Sequence, residues 1–392
     1  MKENWTYKKL GEIANVSAGQ SAPQGDKNYC LDGTPFIKAG NLENLINGKN
    51  ENEVQKVSDE VALSHRLKKY KKGSVLFAKS GMSCMKGWVY TLKNDCYVVS
   101  HLAIVTPKSI NSSFLNYYFK VNKPNKLVKD SAYPSISLKD IENFQVPIPP
   151  MEEQERIVAE LDLLQSVIDK KKAQLDEYDK LAQSIFYEMF GDPIDNPKKW
   201  EVKKLGEIVS FKNGINYHPK DGGFLIKCIG VGDFQNRNEL RYFHEIKNFT
   251  IEEVVDESYY LEDGDILIVR SNGSKELVGR NMIVYPQEQK VTYSGFCIRC
   301  RLITLSVLPI ILHCILSDRN TMIVLRQEGR GCNISNINQK ILSSLPIIMP
   351  PTDLQKQFAE KIEAIEHQKE LVKQSLSEVK TLFDSRMDYY FN

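Results

Sequence analysis

The sequence has no long apolar segment. Its longest apolar run, residues 307–316, is about half as long as a membrane-spanning helix and contains His313. The Lys-rich start lacks the hydrophobic stretch that a signal peptide would place after its first cations. We therefore predict a cytoplasmic protein that has no membrane as a partner.

Cysteines are few and irregularly spaced. The 392-residue chain has 8 of them, without the spacing of a disulfide framework, which favours reduced thiols. Cys297 and Cys300 form the only Cys-x-x-Cys motif, and the nearest candidates for a second zinc-ligand pair, Cys314 and Cys332, are isolated. Because the motif lies in a β-branched run, we predict buried strand cysteines and no metal; zinc binding is the alternative.

The sequence also lacks the common catalytic motifs. It has no GxxxxGK[ST] phosphate loop, no GxGxxG after a strand, no Asn-Pro-Pro-Tyr-type tetrapeptide and no histidine cluster. Asp233 with Glu245 and Lys247 could hold Mg²⁺ in a nuclease. Glu-x-Lys recurs by chance in this composition, however, and the first half of the chain has Asn41 where Asp233 aligns. We predict a binding protein without catalytic residues or a cofactor.

What the chain does contain is an internal repeat. The segment WTYKKLGEI that begins at Trp5 returns as WEVKKLGEI at Trp200, 195 residues later. Further segments echo each other in the same order: 36–38 and 225–227, 73–77 and 264–268, 149–150 and 350–351. A repeat of this length predicts two similar domains rather than a solenoid. The composition, 42% hydrophobic and 26% charged, is that of an ordinary globular protein.

Each repeat changes composition once, which predicts a domain boundary. Short β-rich runs separated by Gly, Asn and Pro give way to a segment without Gly or Pro. The β-rich runs predict strands at 74–78, 98–105, 265–269 and 296–303, and helices at 114–121 and 308–316. We predict an α+β fold. Its parts are mixed domains at 1–150 and 200–350, helices at 151–190 and 351–392, and a linker at 191–199.

The two Gly-free segments have apolar residues that alternate by three and four, the pattern of a heptad seam. The residues assigned to helix pairing are Ile157, Leu161, Leu164 and Leu175 in the first segment and Ile362, Ile365, Leu376 and Phe383 in the second. A shift of 201 residues superposes the seams and aligns Lys369 with Ile168, so one layer is interrupted. Thr352 with Gln355 predicts a capping box at the start of the second helix.

An apolar stripe on a helix of roughly 58 Å needs a partner, because it cannot remain in water. Two matching helices in one chain can supply it by forming an antiparallel coiled coil with pseudo-two-fold symmetry. The alternative is that each helix packs only on its own mixed domain.

The charge is unevenly distributed. Residues 1–150 have a net charge of +8 and residues 191–350 of +1, whereas the helical segments 151–190 and 351–392 have −5 and −2. The mixed domains are therefore the positive parts, as contact with phosphates requires. Nine of the twenty cations in residues 191–350 are arginines, the side chain best shaped for recognising a guanine edge.

Three pairs of loops are candidate nucleic-acid contacts, because Gly and Ser let the backbone approach a duplex while Lys or Arg reaches phosphate or a base. Their residues in the first repeat are Lys79, Ser80 and Lys86, Tyr133 and Ser135, and Lys38 and Asn41. Their residues in the second repeat are Arg270, Ser271, Asn272, Lys275 and Arg280, Asn333 and Ser335, and Lys227 with Asp233. Solvated hairpin turns would have a similar sequence, so that interpretation stays open.

Taken together, these features resemble the specificity subunit of Type I DNA restriction-modification enzymes over essentially the whole chain. The resemblance rests on the repeated Trp-x-x-Lys-Lys-Leu-Gly-Glu-Ile openings, the Pro-Pro entries to both helices with Gln154 and Gln355 just inside, and the junction from Met189 to Trp200. The near-neutral second mixed domain departs from what such a subunit requires.

The resemblance implies that each mixed domain is a target-recognition domain for one half of a split site in double-stranded DNA. It implies that the helices set the gap and dock two methyltransferase subunits that use S-adenosylmethionine. Restriction and translocase subunits that use ATP would be further partners. Because the loops of the two domains differ, the half-sites are expected to be different words. A single-chain nuclease and a scaffold without a DNA role are the rival hypotheses.

Overall fold

The structure is a computed structural model and describes residues 5–216, 223–234, 237–252, 254–273, 277–328 and 336–392, with only the backbone for 326–328. The chain divides into two compact units, Met1–Lys172 with Gln374–Asn392 and Ala173–Lys373, called unit 1 and unit 2 below. The division passes through both long helices, so each unit has one mixed domain and one half of each helix. Within the described ranges, no helix combines the length and the apolar character needed to cross a membrane.

The mixed domain of unit 1 contains three small sheets. Its strands are β1 (Thr6–Lys9), β2 (Ala14–Ala18), β3 (Thr34–Ile37), β4 (Lys56–Val57), β5 (Val75–Ala78), β6 (Val89–Thr91), β7 (Tyr97–Val98), β8 (Leu102–Pro107) and β9 (Gln145–Ile148). The sheets have the orders β2-β8-β5-β6, β4-β3-β7 and β1-β9. Only β3 and β7 pair in parallel among these strands.

Short helices cover these sheets in unit 1. They are α1 (Leu10–Ile13), α2 (Leu42–Ile46), α3 (Asp59–Ser64), α4 (Ser112–Val121) and α5 (Leu138–Glu142). The apolar face of α4 buries Phe114 and Phe119, and Phe119 meets Phe77 of β5 edge-on at a ring distance of 5.6 Å. Buried aromatic pairs of this kind provide a large share of the stabilising apolar area of a domain.

Unit 2 repeats this architecture with one more strand in its main sheet. Its strands are β10 (Glu201–Lys204), β11 (Val209–Asn213), β12 (Phe224–Ile229), β13 (Glu239–Leu240), β14 (Asn248–Ile251), β15 (Asp265–Val269), β16 (Asn281–Val284), β17 (Val291–Tyr293), β18 (Cys297–Leu302) and β19 (Pro346–Met349). Its sheets have the orders β11-β18-β15-β16-β13, β14-β12-β17 and β10-β19. Its short helices are α7 (Leu205–Ile208), α8 (Pro309–Ser317), α9 (Arg319–Glu328) and α10 (Gln339–Ser344).

The two domains enter their central strands in the same way. Gly73 before β5 and Gly264 before β15 both have φ of +86°, a conformation that side chains other than glycine rarely adopt. The amide of Gly73 donates to Leu92 O and that of Gly264 to Val284 O. The predicted echo between 73–77 and 264–268 is therefore confirmed by backbone geometry.

Most predicted elements of the mixed domains are present, and one is wrong. The strands predicted at 74–78, 265–269 and 296–303 are β5, β15 and β18, and the helices predicted at 114–121 and 308–316 are α4 and α8. The run 98–105 is not one strand, because the chain turns at Val99–His101 between β7 and β8, where Leu102 N donates to Val99 O at 3.0 Å. Most residues of this run favour a strand, so the sequence pattern does not reveal the turn. The turn is imposed by the pairing of β7 and β8 with other strands.

The long helices are α6 (Met151–Phe190) and α11 (Thr352–Phe391), each of 40 residues. Helix α6 ends at Phe190 and is followed by Gly191, whose φ of +79° fits a glycine-terminated helix. Lys198 Nζ donates to Glu188 O and Met189 O, and Trp200 Nε1 donates to Phe190 O. The junction sequence thus satisfies carbonyls that the helix end leaves without partners. The α+β class with two tandem repeats and two long helices is confirmed.

The predicted capping box at Thr352 and Gln355 is wrong. Thr352 is already helical, and the buried side chain of Gln355 bonds outside the helix instead. Gln355 Oε1 accepts from Leu308 N at 2.9 Å, and its Nε2 donates to Pro350 O and Ser306 O. Because these partners lie in the segments that precede α8 and α11, Gln355 ties α11 to the mixed domain of unit 2.

Within unit 1 the two helices run antiparallel. Arg156 Nη1 donates to Tyr390 Oη, while Glu160 accepts from Arg386 and Tyr390, so partner numbers on α11 fall as those on α6 rise. The unit's core contains Ile157, Leu161, Met387, Tyr390 and Phe391, with Phe383 partly buried against it. Of the other seam positions in unit 1, Leu376 is buried and Leu164 half-buried.

Within unit 2 the pairing is antiparallel too. Phe358 of α11 packs on Phe186 and Phe190 of α6 with ring distances of 5.7 and 5.2 Å, and Lys369 reaches Asp179 at 2.7 Å. Ile362 and Ile365 are buried in the same core, and Leu175 is half-buried. Each helix half therefore contacts the other helix and the mixed domain of its own unit, so both predicted packing partners are present.

Candidate nucleic-acid interface

In unit 1 the loop at the end of the central strand β5 is held by two other segments. Lys79, directly after β5, donates its amide to His101 O at 2.9 Å and accepts from Ile136 N at 2.8 Å. Ser80 forms an antiparallel bridge with Ser135, and Gly81 N donates to Pro134 O at 3.0 Å. Two candidate loops that are far apart in sequence therefore form one surface.

The loop at the end of the central strand β15 of unit 2 is held in the same way. Arg270 donates its amide to Phe296 O at 2.9 Å and accepts from Ile337 N at 2.7 Å, and Ser271 bridges to Asn336. Lys79 and Arg270 are thus equivalent positions, as are Ser80 and Ser271. The predicted correspondence between these loops agrees with the backbone hydrogen bonds.

The cations at these two positions have no acidic partner in the described part of the chain. Neither Lys79 nor Arg270 makes an ion pair there, whereas other arginines of unit 2 do: Arg301 pairs with Asp265 at 2.8 Å and Arg241 pairs with Glu239. Burial raises the pKa of the Cys84 thiol, and the nearby positive charge of Lys79 acts in the opposite direction. A cation without a counter-ion is available to a phosphate or a base.

Polar and aromatic side chains surround Lys79 in unit 1. Ser80 Oγ lies 2.9 Å from His101 Nδ1. The Tyr133 side chain is 82% exposed, and Ser135 is exposed beside it. Lys86 is the last residue of the 3₁₀ turn Met82–Lys86, which is held by Asn125 Nδ2 donating to Met85 O, and its Nζ lies 5.9 Å from the centre of the Trp88 ring.

In unit 2 the surface near Arg270 contains Ser271, the half-buried Asn272 and the exposed Arg280. Val269 N donates to Arg280 O at 2.9 Å, which places Arg280 across the hairpin from the end of β15. The other predicted contacts, Lys275, Asn333 and Ser335, lie outside the described residues, as do Gly331 and Cys332.

The third predicted loop pair is aligned wrongly. The amide of Lys38 donates to Asn41 Oδ1, and the amide of Gly230 donates to Asp233 Oδ2, both at 2.8 Å. Asn41 and Asp233 are therefore equivalent, as predicted, but Lys38 corresponds to Gly230 rather than to Lys227. The echo between 36–38 and 225–227 is misleading, because the residue equivalent to Lys38 comes only after β12 ends, and β12 has six residues where β3 has four.

The cations of this third pair are engaged locally. Lys227 Nζ donates to Phe243 O at 2.8 Å and to Gln289 Oε1 at 3.3 Å. Lys38 Nζ donates to Gln55 Oε1 at 2.7 Å and lies 4.5 Å from the centre of the Tyr29 ring. Both ammonium groups would have to give up contacts in order to bind a phosphate, which makes them weaker candidates than Lys79 and Arg270.

The residues of the nuclease and zinc alternatives have structural roles. Asp233 caps its own turn, and Glu245 pairs with Arg237. Cys297 and Cys300 are fully buried in β18, where burial raises the pKa of both thiols. Within the described ranges, no three His, Cys, Asp or Glu side chains are grouped as metal ligands. The two cysteines therefore belong to the strand core, as the β-branched run predicts.

Two pairs of residues have roles that sequence reasoning missed. Buried Gln154 repeats the bonding of Gln355: its Oε1 accepts from Asn111 N at 2.8 Å and its Nε2 donates to Pro149 O at 2.9 Å. The second pair is His101 and Phe296, whose carbonyls hold the candidate loops. The helix-start glutamines were a signal for the first pair, whereas the second depends on pairing between distant strands.

A family model described as "Type I restriction modification DNA specificity domain" matches residues 2–177 and 197–381. The chain is similar to the MjaIX specificity subunit of a Type I restriction enzyme from Methanocaldococcus jannaschii, 26% identical over 61% of this chain and 62% of that protein, so the match spans less than two thirds of that relative. It is also similar to the EcoKI specificity subunit from Escherichia coli K12, 24% identical over 93% of this chain and 82% of that protein.

Solved structures that share the fold include two that this chain covers almost completely. The S subunit of the Type I restriction-modification system from M. genitalium is 14% identical, with 98% of this chain and 95% of that chain covered and a TM-score of 0.55. A chain from a structural study of complex assembly and conformational transition in a type I R-M system is 17% identical, with 100% and 98% covered and a TM-score of 0.54.

Proposed function

The chain belongs to the family of Type I restriction modification DNA specificity domains. On that premise we propose that each of its mixed domains recognises one half-site, called a word below, of a two-part site in double-stranded DNA. The loop clusters around Lys79 and Arg270 are the proposed contact surfaces. In each cluster a cation and a serine follow the central strand, and a second loop is bridged to them.

The equivalence of these clusters supports the proposal. Arg270 makes the same backbone hydrogen bonds as Lys79. The two domains therefore hold these two cations at equivalent places. Strand ends fixed by a sheet give such side chains a defined position, and recognition of a base edge requires defined geometry. Lys79 and Arg270, Ser80 and Ser271, and Ser135 and Asn336 are therefore the proposed paired contacts.

The two words are expected to differ. Lysine presents a compact charge that suits phosphate, whereas the planar fork of arginine matches the O6 and N7 acceptors of guanine. Arg270 and the neighbouring Arg280 and Asn272 favour direct reading of bases by unit 2. The cluster of unit 1, with Lys79, Ser80, Tyr133 and Ser135, combines one charge with hydroxyl groups.

We propose that this chain recognises DNA without catalysing a reaction on it. Two methyltransferase subunits that use S-adenosylmethionine, and restriction subunits that use ATP, are the proposed partners. The helices α6 and α11, which contribute to both units, are proposed to set the gap between the words and to dock the methyltransferase subunits. The helical segments have a negative net charge, so they are less suited to phosphates than the mixed domains are.

The first experiment maps methylated adenines in DNA modified by the assembled enzyme. It is expected to give two different words at a fixed spacing. Modification without a common sequence, or binding that is equal for every duplex and insensitive to salt, would contradict the proposed function and favour a scaffold. Cleavage of DNA by the purified chain with Mg²⁺ alone would support the nuclease hypothesis.

Variants of the two cations then assign the words to the domains. Lys79→Ala and Arg270→Ala are each expected to weaken or relax recognition of one word only, by about 1–3 kcal/mol where the side chain reads a base. A cation that contacts phosphate instead should lower the slope of log affinity against log salt by about 0.9. Binding to duplexes with either word scrambled measures both effects.

Lys108→Ala is the matched control. Lys108 is exposed just beyond the far end of β8, whereas Lys79 is bonded to His101 at the start of that strand. The control should keep the affinity for both words. Equal losses on both words from either Lys79→Ala or Arg270→Ala would defeat the assignment of one word to each domain.

A further inference from the structure

The turn between two strands completes each loop cluster. In unit 1 this turn is Val99, Ser100 and His101 between β7 and β8, and in unit 2 it is Ser294, Gly295 and Phe296 between β17 and β18. Val99 N donates to Ile37 O and Ser294 N donates to Ile229 O, both at 2.9 Å. His101 and Phe296 are therefore equivalent, and each accepts the amide of the cation that follows the central strand.

The turn in unit 2 is held firmly in place. Gly295 N donates to Ile215 O at 2.7 Å, and Cys297 N donates to Ser294 O at 2.8 Å. The neighbouring chain passes so close that a Cβ on Gly214 would lie 2.2 Å from Ser294 O. The Phe296 side chain is nevertheless 60% exposed. A rigid turn thus presents an apolar ring to solvent beside Arg270.

Single exposed apolar residues are common on protein surfaces, so exposure alone indicates nothing. The position of Phe296 distinguishes it. Its carbonyl is bonded to the amide of Arg270, and its equivalent in unit 1 is another exposed ring, His101, whose Nδ1 lies 2.9 Å from Ser80 Oγ. The same rigid site therefore presents a ring with hydrogen-bonding atoms in one domain and a purely apolar ring in the other.

We propose that this turn residue reads one base pair in each word, and that Phe296 does so by packing on the C5-methyl group of a thymine. This proposal rests on the proposed DNA recognition and adds to it a base type and a contact. In the major groove the thymine methyl is the apolar group that a phenyl ring can contact, whereas an imidazole can bond to a base edge. His101, with Nδ1 turned to Ser80, has Nε2 for such a bond.

The first test needs no variant. The full chain is titrated with duplexes of the mapped site in which each thymine of the word assigned to unit 2 is replaced in turn by deoxyuridine, which lacks the methyl group. One replacement is expected to weaken binding about fourfold, the equivalent of removing about one buried methyl group. A word without thymine, or one in which no replacement changes the affinity, would overturn the proposal.

Variants then connect the methyl group to the ring. Phe296→Ala is expected to bind the thymine and deoxyuridine duplexes equally while keeping its preference for the other word. Leu305→Ala is the matched control, since Leu305 is 96% exposed beyond the opposite end of β18, and it should keep the fourfold difference. A difference that persists in Phe296→Ala would assign the methyl contact to another residue and contradict the proposal.

The outcome also separates this proposal from the proposed function. If the wild-type chain binds the mapped site no better than a scrambled duplex, DNA recognition by this chain fails. If it binds the mapped site specifically but ignores the methyl groups, only the role of Phe296 fails. In the word assigned to unit 1, His101→Ala is expected to lower discrimination at one base pair about fivefold, as loss of about one hydrogen bond would. Unchanged discrimination at every pair of that word would contradict the role of His101.

Discussion

The cores of unit 1 and unit 2 share a backbone pattern but differ in what they bury beside the long helices. Asn111 N bonds to Gln154 and Leu308 N bonds to Gln355. Asn111 and Leu308 are therefore equivalent positions, and α4 of unit 1 can be aligned with α8 of unit 2 from them. Five residues further on, unit 1 has Asn116 and unit 2 has His313. The 201-residue shift that relates the two glutamines also relates Ile168 of unit 1 to Lys369 of unit 2.

The difference is one of ionisable groups. In unit 1, Asn116 Nδ2 donates to Thr91 Oγ1 at 2.9 Å, and Ile168 is 4% exposed. In unit 2, His313 Nδ1 donates to Asn281 Oδ1 at 2.7 Å, and Lys369 is buried but bonded to Asp179 and Glu366 at 2.7 and 2.6 Å. At these two positions the same fold therefore holds neutral side chains in unit 1 and titratable ones in unit 2, and we expect pH to affect the two units differently.

The largest expected effect is the loss of stability of unit 2 in acid. Burial, and then the positive charge of Lys369, lowers the pKa of His313 from 6.5 to about 4. In the unfolded chain this histidine binds a proton near pH 6.5. The stability that neutral, buried His313 contributes to unit 2 is therefore fully present above that pH and is lost as pH falls towards 4. The difference corresponds to about 3 kcal/mol. Hydrogen exchange of β15 amides, compared with β5 amides, should measure it at several pH values.

His313→Asn is the matched variant, because asparagine occupies the equivalent position in unit 1. It should remove most of the additional acid sensitivity of unit 2 and bring its exchange profile closer to that of unit 1. If unit 2 of the variant loses as much stability between pH 6.5 and 4 as the wild type does, other groups cause the acid sensitivity and the comparison fails.

A smaller effect, about 1–3 kcal/mol, is expected when the glutamine at either helix start is replaced, because buried polar partners are left unsatisfied. Gln355→Leu should destabilise unit 2 more than Gln154→Leu destabilises unit 1, since Gln355 makes three side-chain bonds to backbone atoms and Gln154 makes two. Urea denaturation monitored by hydrogen exchange in each unit compares the two losses.

Gln374→Leu provides the control, since Gln374 is an exposed residue of α11 that bonds only weakly to Glu378, at 3.3 Å. The free energy of unfolding of the Gln374→Leu variant should stay within about 0.5 kcal/mol of that of the wild type. Equal or reversed losses from the two buried glutamines would show that the additional bond to Ser306 does not contribute.

Local patterns in the sequence predicted the repeat, the long helices and the cation loops. The heptad pattern in residues 151–190 and the strand before Lys79 are encoded by neighbouring residues, and the repeat made the correspondence of Lys79 with Arg270 readable. The turn at Val99–His101, the bonds of Gln355 and the register of Lys38 with Gly230 depend on pairing between segments far apart in sequence. Propensity does not specify such pairings, which is why His101 and Phe296 were missed.

The smallest expected change in stability concerns Lys369, and it tests whether the titratable groups of unit 2 act together. Burial alone would lower the pKa of Lys369, but its bonds to Asp179 and Glu366 outweigh this and raise it. The stability that charged Lys369 contributes to unit 2 is thus fully present at neutral pH and is lost only as pH rises above the ordinary pKa of lysine. Because both acids are partly exposed, with side chains 56% and 40% accessible, Lys369→Ile should change stability at pH 7.5 by no more than about 1 kcal/mol.

The same variant should also change the response of unit 2 to acid, because it removes the charge that, after burial, helps to hold His313 neutral. The folded-state pKa of His313 should rise towards 6.5, so unit 2 should lose less stability between pH 6.5 and 4 than the wild type does, as hydrogen exchange of β15 can measure. Lys373→Ile, at an exposed position on the same helix half, should leave that profile unchanged. If Lys369→Ile also leaves it unchanged, burial alone keeps His313 neutral, and the two differences between the units are independent substitutions rather than one coupled cluster.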